Sequence, residues 1–140
     1  MPSASDSRCR LCLVTPPAYD VEAFAARLGD ALGGGDVASL IITAPNTTDG
    51  ASLQKAAERF VPIAAARNVA ALVHNDTRVA ARAQADGVHI DAGLMDVETA
   101  LAALRGRKIV GAGAGASRHE ALEAGDLEPD YLFFGRLDGD

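Results

Sequence analysis

Apolar positions along the chain follow two alternating patterns, short continuous runs and longer segments with helical spacing. Continuous runs bounded by Pro, Gly and polar residues predict buried strands, whereas apolar residues at i, i+3 and i+4 predict helices. The predicted strands are RLCLVTPP, VASLIITAP, residues 69–74, Gly87–Ile90, KIVGAG and DYLFFG. The predicted helices are Val21–Leu32, residues 52–67, residues 77–85, VETALAALRG with Asp96 as its cap, and a segment opened by the S-x-x-E box at Ser117.

This alternation of strands and helices predicts an α/β fold with a parallel sheet. Strands that are continuous apolar runs are typical of a sheet covered by helices. Two architectures use such a chain, a (β/α)8 TIM barrel and an open doubly wound parallel sheet. Units of about 20 to 25 residues favour the barrel, of which the chain supplies about six strands.

The length indicates a single α/β domain over residues 1–140, with residues 1–8 as a loose leader. The chain ends at GRLDGD, directly after the sixth predicted strand. A chain that stopped there would leave the edge of a parallel sheet unpaired. We therefore expect the natural chain to continue into further β-α units.

Charge and hydropathy exclude several classes of partner. The formal net charge is -6, without the basic patch that nucleic-acid binders carry, so we expect no nucleic acid and no anionic membrane as partner. No apolar run approaches the roughly 20 residues of a spanning helix, and the first ten residues lack the apolar core of a signal peptide. These features predict a cytoplasmic protein, either a monomer or a small homo-oligomer.

Cys9 and Cys12 form a CxxC pair, which has a functional and a structural interpretation. A zinc site needs about four ligands, and no second cysteine pair is present. A redox pair belongs at a helix start, whereas this pair lies in a predicted strand, where positions i and i+3 point to opposite faces. The pattern favours two structural cysteines.

Polar residues collect where the predicted strands end, which is where parallel α/β folds place their ligand sites. Asp76 is suited to Mg²⁺, which takes one or two carboxylates plus substrate phosphate, and Asn75 can donate a hydrogen bond to a phosphate oxygen. The alternative is that Asn75-Asp76 only caps the next helix. Similarly, His89 is either a base or ligand, or a hydrogen-bonded structural residue. The remaining strand-end residues are Thr15, Thr43, Asn46, Asp91, Arg136 and Asp138.

The segment GAGAGAS raises a separate hypothesis. Gly111, Gly113 and Ala116 satisfy G-x-G-x-x-A after a strand and before a helix, and the acidic Asp130 follows. Such a turn can bind a dinucleotide phosphate through backbone amides. However, the fingerprint normally occupies the first βαβ unit, and here it comes after four β-α units. A dinucleotide-binding module is therefore the less favoured alternative.

Three segments resemble the family of thiamine-phosphate synthases and their sister thiazole tautomerases. ALVHNDTRVAARAQADGVHID looks like the family's central block, KIVGAGAGASRHEALEAGDLEPDYLFFG resembles the block that follows, and RLCLVTP is similar to its first strand. The resemblance implies a (β/α)8 barrel that couples hydroxymethylpyrimidine diphosphate to thiazole phosphate. Pyrophosphate is released in that reaction, which uses Mg²⁺.

The resemblance also assigns roles to residues. It implies that Asn75 and Asp76 hold the pyrophosphate and the magnesium, with Asp91 near the second metal-binding carboxylate position, which falls on Leu94. The predicted pyrophosphate-binding residues are Asn75, Gly113, Gly135 and Arg136, and the predicted metal ligands are Asp76 and Asp91.

Several positions depart from the family pattern. The Gln, Arg and Lys that follow its second strand are Ile41, Thr43 and Pro45 here, and its Ser after strand five is Gly113. The position after Gly135 holds Arg136, where the synthases have Pro and the tautomerases His. Arginine stays charged and cannot exchange a proton near neutral pH, which argues against the tautomerase reaction. An alternative therefore stays open, a catalytically impaired member that binds a phosphorylated small molecule.

Overall fold

The computed structural model describes residues 8–46 and 50–139. The predicted leader lies almost entirely outside these ranges, as does the centre of the loop after the second strand. The strands are β1 Leu11–Val14, β2 Val37–Ile42, β3 Ala70–His74, β4 Gly87–Ile90, β5 Ile109–Gly113 and β6 Tyr131–Phe133. The helices are α1 Val21–Leu32, α2 Gly50–Ala65, α3 Thr77–Ala83, α4 Leu94–Leu104 and α5 Arg118–Asp126.

The six strands form one parallel sheet in sequential order, β1-β2-β3-β4-β5-β6. A doubly wound sheet reverses its strand order at a switch point and carries helices on both faces. Here the order never reverses, so successive units continue around in one direction, as in a (β/α)8 barrel. The predicted α/β fold and the choice of the barrel architecture are confirmed.

The main core lies between the sheet and the helices. Alternate strand residues such as Leu40, Val73, Val88 and Val110 pack in a single cluster to which all five helices contribute. Phe60 of α2 is fully buried there and lies against the rings of Tyr19 and Phe24. Since side chains alternate across a strand, the intervening residues face the concave side of the sheet. These intervening residues include the buried Ile41, Leu72 and His89.

The predicted bounds of three helices were wrong by a few residues. The helix predicted over residues 52–67 is α2, Gly50–Ala65, and local chemistry explains the other two differences. The predicted cap of α4, Asp96, lies in the first turn, because the helix begins earlier, at Leu94 after Gly93 with a φ of 145°. The predicted helix over 77–85 ends at Ala83, because Gln84 adopts the left-handed conformation, with a φ of 58°. The chain then turns directly into β4.

Within residues 8–46 and 50–139, no helix combines the length and the apolar character that crossing a membrane requires.

Candidate functional site

A cleft of about 830 Å³ opens at the carboxyl ends of the strands. Residues at or just after the ends of all six described strands contribute to it, because the parallel strands end at the same edge of the sheet. The structure brings four of the predicted site residues to this cleft: Asp91, Gly113, Gly135 and Arg136. The other main lining residues are Thr15, Thr43, His74, Leu94, Val97, Glu120, Glu123, Leu137 and Asp138.

Asp91 is held in the cleft by a small hydrogen-bond network. Its Oδ1 accepts from His74 Nε2 at 2.8 Å and from Asn75 Nδ2 at 2.7 Å, and its backbone N–H donates to Asn75 Oδ1 at 2.9 Å. The hydrogen bond from His74 is the main reason that the pKa of Asp91 lies below its usual value. An ionised carboxylate only accepts, so His74 carries its proton on Nε2. Asn75, predicted to bind pyrophosphate, hydrogen-bonds to Asp91 through both atoms of its amide, and its backbone has a φ of 56°. It is not among the described residues that line the cleft.

Gly113 allows this position of Asp91. A Cβ added at Gly113 would lie 2.6 Å from the Cβ of Asp91, closer than real side chains approach. The serine that the resemblance implies at this position would overlap Asp91. On another wall of the cleft, Thr43 N donates to Thr15 Oγ1 at 2.8 Å, and the two hydroxyls are 2.6 Å apart. These two threonines join the ends of β1 and β2.

Arg136 reaches the cleft from the turn after β6. Its Nε donates to Asp138 Oδ1 at 2.9 Å, and its Nη2 donates to Asp138 Oδ2 at 2.7 Å. Both side chains are well exposed, at 72% for Arg136 and 49% for Asp138. The guanidinium thus already holds a carboxylate in the two-point geometry that it also uses for phosphate.

The lining of the cleft is more acidic than the resemblance implies. The carboxylates among the described lining residues are Asp91, Glu120, Glu123 and Asp138, and the lining also includes Arg136. Glu123 also pairs with the exposed His119. A diphosphate in this cleft would meet net negative charge, unless a metal ion or a proton compensates it.

The Gly-rich turn after β5 is occupied by a side chain of the protein. Glu120 Oε2 accepts from Ala116 N at 3.0 Å and packs against Gly115, whose φ is 69°. The acidic residue of the dinucleotide hypothesis, Asp130, lies at the opposite end of the sheet, where its Oδ2 accepts from Val110 N at 2.7 Å. This arrangement argues against a dinucleotide-binding role for the turn.

His89 is a buried structural residue on the concave side of the sheet. Its side chain is fully buried, and its Nδ1 lies 2.6 Å from the Tyr131 hydroxyl. Burial lowers its pKa to about 4, so the ring is neutral at pH 7. This environment favours the structural interpretation of His89 over a role as a base.

The protein-family model described as thiamine monophosphate synthase matches residues 11–138. The match therefore spans all six strands and the whole cleft. The chain belongs to this family.

Curated relatives support the same assignment. The chain is 39% identical over 127 residues to a thiamine-phosphate synthase of Rhodospirillum centenum, covering 91% of this chain and 61% of the relative. It is 37% identical over 132 residues to one of Hyphomonas neptunium, covering 91% and 60%. The chain thus spans about 60% of the length of these relatives.

Two solved structures share the fold of this family member. Thiamine phosphate pyrophosphorylase from Pyrococcus furiosus superposes with a TM-score of 0.72 at 24% identity, over 91% of this chain and 60% of that one. The aldolase QR15 superposes with a TM-score of 0.68 at 15% identity, over 89% and 67%. At these identities the likeness shows the barrel fold alone.

Asp76 does not line the cleft of this family member. Its side chain caps α3 by accepting from Val79 N at 3.0 Å, and it lies in a separate groove with Lys55, Arg78 and Arg82. Asp76 and Asp91, the two predicted metal ligands, therefore face different cavities. Among residues 8–46 and 50–139, the structure shows no group of three or more His, Cys, Asp and Glu side chains that could hold a metal ion.

Sequence reasoning missed His74, Glu120 and Glu123 as residues of the cleft. His74 is the last residue of β3 and pairs in register with His89. Because the predicted strand already ended at His74, its place at the strand end could have identified it as a residue of the cleft. The two glutamates lie three apart in α5, so they share a helix face. Cys9 and Cys12 are exposed free thiols outside the lining of this cleft.

Proposed function

We propose that the protein is a thiamine-phosphate synthase-type transferase. It would couple hydroxymethylpyrimidine diphosphate to thiazole phosphate and release pyrophosphate. Family membership supports this proposal, and the observation that carries it is the strand-end cleft with the Arg136 guanidinium at its wall. The proposed partners are thus two phosphorylated small molecules.

The cleft offers a surface for each part of such ligands. The apolar side chains of Leu94, Val97 and Leu137 form walls against which heterocyclic rings can pack. Arg136 provides a planar pair of N–H donors that matches two phosphate oxygens. Charge-assisted hydrogen bonds of this kind contribute about 1.5–3 kcal/mol each.

The predicted cofactor Mg²⁺ would be bound by Asp91 together with phosphate oxygens of the ligand. Magnesium commonly takes one or two carboxylates plus substrate phosphate, and Asp91 supplies an ionised carboxylate inside the cleft. The metal would neutralise diphosphate charge there. Asp76, the other predicted ligand, uses Oδ1 as a helix cap in the neighbouring groove.

A second candidate is a member that binds a phosphorylated small molecule without turnover. The acidic lining favours it, since Glu120, Glu123 and Asp138 repel a diphosphate more strongly than a monophosphate. Ile41, Thr43 and Pro45, where the resemblance implies Gln, Arg and Lys, add no positive charge. Ligand binding is common to both candidates, so only turnover separates them.

The test is a coupling assay with both substrates and Mg²⁺, in which thiamine phosphate is quantified. We expect product from the wild type and at least a tenfold loss of kcat/KM in Arg136→Gln, because two charge-assisted bonds are removed. Arg107→Gln is the matched control, because Arg107 donates to Ala103 O at the end of α4 and lies outside the cleft.

The outcomes separate the two candidates. An equal kcat/KM in Arg136→Gln and wild type would show that Arg136 does not bind the substrates. Absence of product, with a rise in melting temperature on adding thiamine phosphate or its precursors, would favour the non-catalytic candidate. Absence of both would contradict the proposed function altogether.

A further inference from the structure

The pair formed by Arg136 and Asp138 has the geometry of a phosphate complex. Two parallel N–H donors of one guanidinium meet the two oxygens of one carboxylate, at 2.9 and 2.7 Å. Phosphate binds arginine through the same two-point arrangement. A ligand phosphate and the Asp138 carboxylate therefore need the same donors of Arg136.

The pair is local and exposed, so a ligand can displace the carboxylate. A turn closed by Gly139 N and Arg136 O at 3.4 Å returns Asp138 to the guanidinium two residues before it. Exposed ion pairs contribute little to stability, because water and salt screen them. With 72% and 49% of the two side chains exposed, exchange of one anion for another needs no rearrangement of the core.

We propose that Asp138 is an internal competitor that occupies the phosphate-binding donors of Arg136 until a phosphorylated ligand displaces it. This inference rests on the proposed function, since it takes the same cleft as the binding site. A tethered carboxylate stays close to Arg136 at all times, so only an anion of higher charge competes well. Asp138 thereby makes the site selective for dianionic phosphate and diphosphate groups over singly charged carboxylates.

The effect of the other carboxylates of the cleft must be distinguished from direct competition by Asp138. Asp91, Glu120 and Glu123 also line the cleft and repel an anion through space. Direct competition has a distinct signature. Removal of Asp138 improves phosphate binding only while Arg136 is present, whereas a through-space effect persists without Arg136.

The experiment is calorimetric titration with inorganic pyrophosphate in metal-free buffer. The proteins are wild type, Asp138→Asn, Arg136→Gln, the double variant and Glu123→Gln as a charge-matched control. Occupied donors reduce apparent affinity in proportion to the fraction still available. We expect about fivefold tighter binding in Asp138→Asn and a gain of less than about twofold in Glu123→Gln, which removes only through-space repulsion. The double variant should match Arg136→Gln, and acetate should not bind to the wild type.

Three results would overturn the inference. They are an unchanged affinity in Asp138→Asn, a gain that persists in the double variant, and the absence of pyrophosphate binding in every protein. Circular dichroism confirms that each variant is folded. Because the titration needs no turnover, an Asp138 effect without product in the coupling assay would refute only the proposed reaction. Turnover without an Asp138 effect would refute only this inference.

Discussion

Gly111 of β5 leaves room for the Tyr131 side chain of β6 to reach His89 of β4. A Cβ at this position would overlap the Tyr131 ring, whose hydroxyl lies 2.6 Å from His89 Nδ1. In Gly111→Ala the ring must move, and the buried hydrogen bond is lost. We expect the free energy of unfolding, measured by urea denaturation, to fall by about 1–3 kcal/mol.

Gly125→Ala is the matched control for this substitution. Gly125 lies in α5, and an added Cβ would meet only Leu132 Cδ1 at 3.8 Å, an ordinary contact. Alanine in a helix is favoured over glycine by about 1 kcal/mol, so this variant should be neutral or more stable. Equal destabilisation of the two variants would contradict the packing described for Gly111.

The buried His89 makes stability depend on pH. Its folded-state pKa of about 4 lies below the ordinary value of 6.5, chiefly because burial disfavours the imidazolium. Its contribution to stability is therefore complete above about pH 6.5 and is lost as the pH falls towards 4. We expect this histidine alone to lower the free energy of unfolding by about 3 kcal/mol between pH 7 and pH 4.

The corresponding measurement compares urea denaturation of wild type and His89→Gln at pH 7, 5.5 and 4. Carboxylates with lowered pKa values, such as Asp91, weaken both proteins in acid, so the difference between the two reports His89. His119→Gln is the control, because His119 is exposed and pairs only with Glu123 in the contacts described. Parallel pH dependences in wild type and His89→Gln would contradict the assigned burial.

At the scale of elements, side-chain caps define where helices begin. Asp20 Oδ2 accepts from Ala23 N at 2.9 Å at the start of α1, and Ser117 accepts from Glu120 N at the start of α5. For Asp20→Ala we expect a loss of about 1 kcal/mol in the free energy of unfolding, because an N–H of the first turn loses its acceptor. Chemical denaturation at pH 7 measures it.

Asp30→Ala provides the control on the same helix. Asp30 is exposed in the last turn of α1, where a negative charge opposes the helix dipole. Its removal should leave stability unchanged or raise it by a few tenths of a kcal/mol. A loss equal to that of Asp20→Ala would show that loss of an aspartate destabilises α1 wherever it lies, and would contradict the specific role of Asp20 as a cap.

Element boundaries could be predicted from sequence where the signals are local. The spacing of apolar residues and the glycine run after Leu32 gave the bounds of α1, and the S-x-x-E box marked the start of α5. The start of α4 was misplaced because Asp96 is a good cap by composition. The helix in fact begins after Gly93, which has no side chain to act as a cap. The sequence therefore contains no capping residue that would indicate this earlier start.

At the scale of the whole molecule, the sequential order of parallel strands collects residues from distant segments at one edge. Alternating β-α units predict that convergence, so Asp91, Gly113 and Arg136 could be placed together from sequence. The direction of individual side chains could not be predicted from the sequence. Asp76 follows β3 as expected, but its carboxylate turns to cap α3 and lies in the groove with Lys55, Arg78 and Arg82.

The acidity of the cleft also emerges only at this scale. The sequence shows a net charge of -6 but not where that charge lies. Glu120 and Glu123 join the cleft because α5 presents one face to the strand ends, which is a consequence of packing. Charge distribution around a site is thus a property of the fold, and it decides which ligands the family architecture accepts here.

The most direct test of this account is to map where inorganic pyrophosphate contacts the protein, by amide chemical-shift changes in ¹⁵N NMR spectra. The cleft account predicts the largest changes at Asp91, Gly113, Gly135 and Arg136, with small changes in the groove lined by Lys55, Arg78 and Arg82. Changes concentrated at that groove, or no changes at all, would contradict the central claim that the strand-end cleft is the phosphate-binding site.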